Sequence, residues 1–168
     1  MTRTLGMAIA VLAVGLVGAA GAGAAPPSKS DVQVIPYEFS VDCSTYGFAF
    51  ANNVKGEESL WSETFSGAAG TPVKVIVHDG FRETDTNSVT GKTLRFSQTW
   101  INTYDLVAGT RTVVGKAFIM TDPSKGVVIQ DTGRVVFDAP EHVVFEAGQH
   151  GVLHGNLDQL ACTALSTS

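Results

Sequence analysis

From Tyr37 to about Phe145 the side chains change character at almost every successive position. A two-residue period suits strands, whose side chains point alternately to the two faces of a sheet. In "YEFSVDC", Tyr37, Phe39 and Val41 alternate with Glu38, Ser40 and Asp42. The phase runs on through Tyr46, Phe48 and Phe50, which predicts that "YGFAFANNV" is extended as well. "SLWSETF" alternates in the same way, and "GAAGT" breaks the chain. A strand from Pro72 sets Val73, Val75 and Val77 against Lys74, Ile76 and His78 and runs on to Thr86. The clearest strand, Thr93 to Tyr104, puts Leu94, Phe96, Trp100 and Tyr104 on one face. Further strands follow at Arg111–Met120, "VVIQ", "RVVFD", "HVVFE" and "HGVLH", separated by the turn signals "NSVTGK", "DLVAGT", "TDPSKG" and "DTG".

Strands joined by turns this short must be antiparallel, because a parallel pair needs a long crossover. A meander with one apolar face per strand packs as a sandwich or closes on itself, and closure removes exposed edges. We therefore expect an all-β fold, an antiparallel up-and-down β-barrel of about eight strands. The one helical signal is "GNLDQLACTAL". There Leu157, Leu160, Ala161, Ala164 and Leu165 form an apolar stripe, with Asn156 as N-cap and Gln159 at the third helical position. A short C-terminal helix is expected to plug or flank one mouth of the barrel.

The first 24 residues carry Arg3, an uncharged run and then only small residues, the order of a secretory signal peptide. A retained membrane anchor is the alternative, disfavoured by the Gly/Ala-rich second half of the run. Residues 25–31, which include "PPSKS", read as a mobile leader, and 32–168 as a single domain. Export removes Arg3 and takes the formal charge from −5 to −6. An acidic surface without a Lys/Arg cluster argues against nucleic-acid binding. We expect a secreted protein, extracellular or associated with the cell wall, with no membrane span after cleavage. Both cysteines, Cys43 and Cys162, fall in the exported part, where an even count favours a disulfide over two free thiols.

His150 and His154 lie four residues apart among Gly148, Gly151 and Gly155. On a helix they would share one face and suit a zinc ion, but the glycines argue against a helix. On a strand they would stand roughly 13 Å apart, too far for one ion. No third ligand falls at a recognised spacing, so no metal is expected. His78-Asp79 is no dyad either, since strand neighbours point to opposite faces. There is no nucleophile elbow, P-loop or dinucleotide fingerprint. No catalytic residue and no cofactor are expected, and the reading leans away from an enzyme. A carboxylate pair acting across the fold would leave no local motif. Glu63, Glu83 and Glu146 are the acids most embedded in strand patterns, each reading more simply as solvent-facing.

With these residues in view, the chain resembles a group of small exported actinobacterial proteins with an allene-oxide-cyclase-like or lipocalin-like β-barrel. The resemblance rests on Asp42-Cys43, Thr90-Gly91-Lys92, Gly115, "DTGRVVFD" at 131–138, Gly151, Asp158 and Cys162. It implies export, a barrel and a Cys43–Cys162 bridge, and it brings no catalytic residues. The segment "DCSTYGFAF" departs from the group's shorter one, which puts the register of the second strand in question.

Tyr37, Phe39, Phe48, Phe50, Phe96, Trp100 and Tyr104 are the candidate lining of a cavity for a small apolar ligand. Solid packing of the barrel by the same rings is the alternative. A cyclase or isomerase using a lone buried acid, and an interaction or inhibitor module using loops such as "HDGFRETDTNSVTGK", are the other functional readings. Oligomeric state is not legible.

Overall fold

The computed structural model describes residues 26–138 and 141–167. The expected signal peptide, 1–24, lies outside the described residues. Eight strands and one helix follow in chain order: β1 Ser28–Lys29, β2 Gln33–Asp42, β3 Ala51–Ser66, β4 Pro72–Asn87, β5 Thr93–Asp105, β6 Thr110–Asp122, β7 Gly126–Asp138, β8 His142–His150 and α1 Leu157–Ser166. They form one antiparallel sheet in which each strand from β3 to β8 pairs with the next, while β1 and β2 share the outer edge of β3. Among the described residues no ladder joins β8 to β1 or β2. Ser28 and Lys29, within the expected leader, pair with Thr64 and Glu63.

Three hairpins are built by one device. Asn87, Asp105 and Asp122 each end a strand, and each side-chain oxygen accepts hydrogen bonds from backbone N–H groups two or three residues on. Gly91, Gly109 and Gly126 then return the chain with φ of +72°, +67° and +90°. A short acceptor followed by a residue free to adopt positive φ turns the chain tightly enough for adjacent strands to pair.

Three expected boundaries are corrected. Cys43–Tyr46 is a 3-10 turn, with the Asp42 side chain accepting from Ser44 N–H, so Phe48 and Phe50 sit in a connection and not on a strand. "DTG" does not separate two strands: Gly133 lies within β7, paired with Gly115 on one side and Gly148 on the other. "HGVLH" is likewise a turn after His150, closed by His154 N–H donating to the His150 carbonyl.

The core sits at one end of the sheet. Leu94, Phe96, Met120 and Ile129 pack against Ala161 and Leu165 of α1, with Phe50, Phe118 and Leu160 around them. Asn156 caps the helix by accepting from Gln159 N–H at 3.1 Å, as its sequence predicts. Because α1 touches β3, β4 and β7, this end of the sheet wraps around the helix. At the helix C-terminus Lys92 Nζ donates to the carbonyls of Ala164 and Thr167 and pairs with Asp122 at 3.0 Å. The ammonium thereby satisfies carbonyls that the helix leaves without partners. The Cys43–Cys162 disulfide, fully buried, fastens α1 to the 3-10 turn with its Cα atoms 5.7 Å apart.

Candidate functional site

Register decides which side chains share a face. Asp79 pairs with Leu60 on β3 and Trp100 on β5, and Trp100 pairs with Gly115 on β6. By the same ladders these positions project on the side of Leu94, Phe96 and Met120, which α1 covers; this is the inner face. The helix packs at the Leu94–Ile129 end. Trp100, Asn102 and Tyr104 continue the face beyond it.

A line of rings crosses the inner face. Tyr37 lies 6.0 Å from Phe39 and 6.3 Å from Phe81, Phe81 stacks on Trp100 at 5.1 Å, and Trp100 reaches Phe118 at 6.1 Å and through it Phe96. Five of the seven expected lining residues, Tyr37, Phe39, Phe96, Trp100 and Tyr104, therefore occupy this face. Phe48 and Phe50 do not belong to the line: they contact each other at 5.9 Å, and Phe50 packs at the helix end. Phe81 and Phe118 supply the links between strands, and neither was among the expected residues.

Carboxylates share this face with the rings. Glu58, Glu83 and Asp85 pair across strands with Phe81, Phe96 and Leu94, and Asp79 stands opposite Trp100. Asp79 is only 4 % exposed. Its Oδ2 accepts from Asn102 Nδ2 at 2.7 Å, yet Oδ1 has no partner. Burial raises its pKa above the ordinary carboxylate value, because the charged form loses hydration there. Glu58 is raised too, by burial first and then by the charge of Asp79. Tyr37 donates to Glu83 at 2.7 Å, and burial, followed by that hydrogen bond, raises the phenol. Asn52 donates to Asp85 at 2.5 Å. Gln98, directly across from Phe81 and 4 % exposed, leaves Oε1 without a partner. Beyond Asn102, Arg111 pairs with Glu141 and lies 4.3 Å over the ring of Phe137.

The opposite face carries two open depressions of about 480 and 320 Å³. The larger is bounded by Trp61 and His78, stacked plane on plane at 3.9 Å, and floored by Ser59, Gly80 and Thr99. His78 and Asp79 do point to opposite faces. The two C-terminal histidines take separate carboxylates: buried His150 Nδ1 is 3.0 Å from Asp131, and exposed His154 Nε2 is 2.8 Å from Glu146. Among the described residues no group of three or more His, Cys, Asp or Glu is placed to hold a metal ion. Of the acids singled out in the sequence, Glu63 pairs with Lys29 at 2.7 Å, whereas Glu83 faces inward.

Asp79, Glu58, Gln98, Phe81 and Phe118 are the site residues that sequence reasoning missed. The available signal was parity, since Asp79, Phe81, Glu83 and Asp85 continue the phase of Val73, Val75 and Val77. Chemically, the inner face offers flat apolar surface beside a desolvated carboxylate with a free acceptor oxygen. No protein-family model, curated protein or solved structure matches the chain.

Proposed function

We propose that this is an exported β-barrel protein that binds a small, largely apolar molecule on the inner face, beyond the helix. The observation that carries the reading is the line Tyr37–Phe81–Trp100–Phe118 lying beside the incompletely partnered Asp79. Large flat side chains with a few directed polar groups are the usual composition of a ligand site. The disulfide suits an oxidising compartment, and among the described residues no helix is long and apolar enough to cross a membrane. The barrel belongs to this reading, with its seam between β2 and β8. Gly115, Gly133 and Gly148 stand in one row across β6, β7 and β8, all with φ between +128° and +142°. Such glycines let neighbouring strands bend sharply at close approach, which is how sheets curl.

The test is a fluorescence titration with the neutral probe N-phenyl-1-naphthylamine. Emission should rise on binding, and W100A and F81A should abolish the rise while W61A retains it. Native mass spectrometry across a broad lipid and metabolite panel that finds no bound species on the folded protein would overturn the reading.

A second reading, an isomerase or cyclase acting through a lone acid, is favoured by the burial and raised pKa of Asp79. A bound molecule recovered from the protein with its mass unchanged but its retention time altered would support it. Recovery of the unaltered molecule would leave binding alone.

A further inference from the structure

We infer that the polar group of the bound molecule is a primary or secondary ammonium, seated between the inner-face carboxylates Asp79 and Glu58; this rests on the inner-face reading. The first argument is hydrogen-bonding capacity. Among the described residues of β3, β4 and β5, the buried inner-face side-chain atoms without a partner are Asn52 Oδ1, Asp79 Oδ1, Asp85 Oδ1 and Gln98 Oε1. All four are oxygens that accept, and a buried acceptor without a donor is costly. Gln98 is an observation separate from the acids, being a neutral amide almost wholly buried beside Phe81 and directed to the same face.

The second argument is charge. On that face β3, β4 and β5 carry Glu58, Asp79, Glu83 and Asp85 and no lysine or arginine. Arg111 on β6 is engaged by Glu141, by the Phe137 ring and by Asn102 Oδ1, to which its Nη1 donates, leaving its Nε without an acceptor. An anionic ligand would meet repulsion here, and a neutral alcohol would offer one donor without compensating the buried charge. An ammonium offers two or three N–H donors and a unit positive charge at once. The Phe81–Trp100 stack, 5.1 Å between centroids, adds ring faces that attract a cation and apolar surface for the rest of the molecule.

The experiment compares octylamine, octanol, octanoate and octyltrimethylammonium by calorimetry at pH 7. Octylamine should bind about tenfold tighter than octanol, octanoate weakest, and octyltrimethylammonium below octylamine because it has no N–H to donate. Asp79→Asn should shrink the octylamine-to-octanol affinity ratio from about tenfold to below about twofold, and Glu58→Gln should shrink it less. Circular dichroism verifies that each variant is folded, and Glu58→Gln serves alone where Asp79→Asn is not. Equal affinity for octylamine and octanol overturns the ammonium while the binding reading stands. A preference that survives both substitutions overturns its placement. Failure of octanol and octylamine alike on folded protein removes the binding reading and this inference with it.

Discussion

Gly133 on β7 and Gly148 on β8 face each other across the ladder with φ of +142° and +128°. A β-carbon on Gly133 would lie 2.1 Å from the Ala147 carbonyl oxygen, and one on Gly148 would lie 2.1 Å from that of Thr132. Both obstacles are backbone, so no rotamer change can relieve them. Gly133→Ala and Gly148→Ala are expected to cost about 3 kcal/mol or more in urea denaturation, combining backbone strain with a steric clash. Gly109→Ala, at φ +67° in open space, is the control and should cost about 1 kcal/mol. Equal losses at the two kinds of site would contradict the close approach.

Breaking the Cys43–Cys162 bridge releases a constraint between residues 119 apart in sequence. The chain-entropy estimate for that separation is roughly 5 kcal/mol, an upper figure. The double Cys→Ala variant should therefore lose several kcal/mol and show a lowered urea midpoint. Reduction of the native protein should raise its mass by about 2 Da, one hydrogen per sulfur. An unaltered mass would rule out the bridge.

His150 makes stability depend on pH. Burial alone would push its imidazole down, but the Asp131 hydrogen bond, the Ala147 backbone and the nearby Asp131 and Glu146 charges outweigh burial, and the net shift is upward. A folded value above the unfolded one of about 6.5 means that the contribution is complete below that pH and is lost as pH rises through the folded value. The urea midpoint should fall between pH 6 and pH 8. His150→Gln should flatten that slope. A wild-type midpoint that climbs over the same interval would sink the assignment.

Asp79 acts with the same sign through the opposite chemistry. Burial raises the pKa of a carboxyl whose charged form is poorly accommodated, so stability falls as pH rises through its folded value. Asp79→Asn should therefore stabilise the unliganded protein at pH 7 by about 1 kcal/mol or more. The advantage should disappear in melts at acid pH, where wild-type Asp79 is protonated. A variant less stable than wild type at pH 7 would show that its charge is well compensated.

Much of the architecture was legible where one physical signal acted alone. The alternation of Leu94, Phe96 and Trp100 marked β5 and its buried face, and Asn156 with the Leu157–Leu165 stripe marked α1. The antiparallel order followed from short turns, and the disulfide from an even count of cysteines in a chain expected to be exported. Errors arose where two signals overlapped. "DTG" has turn chemistry, yet Gly133 uses its positive φ within a strand. Tyr46, Phe48 and Phe50 keep strand spacing, yet Asp42 captures Ser44 N–H and starts a 3-10 turn. The inner carboxylates were missed for a further reason. From Asp79 to Asn87 both faces of β4 are rich in polar residues, so residue character no longer separates inside from outside and only the phase carried on from Val77 does. What holds these acids inward is long-range: Asn102 for Asp79 and Tyr37 for Glu83, partners 23 and 46 residues away.

The fastening of α1 also has a bearing on how the molecule is made. A chain synthesised from its N-terminus presents all eight strands before it presents Leu157, so Leu94, Met120 and Ile129 wait without their cover until the final segment emerges. A product that terminates between residues 43 and 162 keeps Cys43 and lacks Cys162. Such a fragment carries an odd thiol, ready to couple to a neighbouring chain in an oxidising compartment.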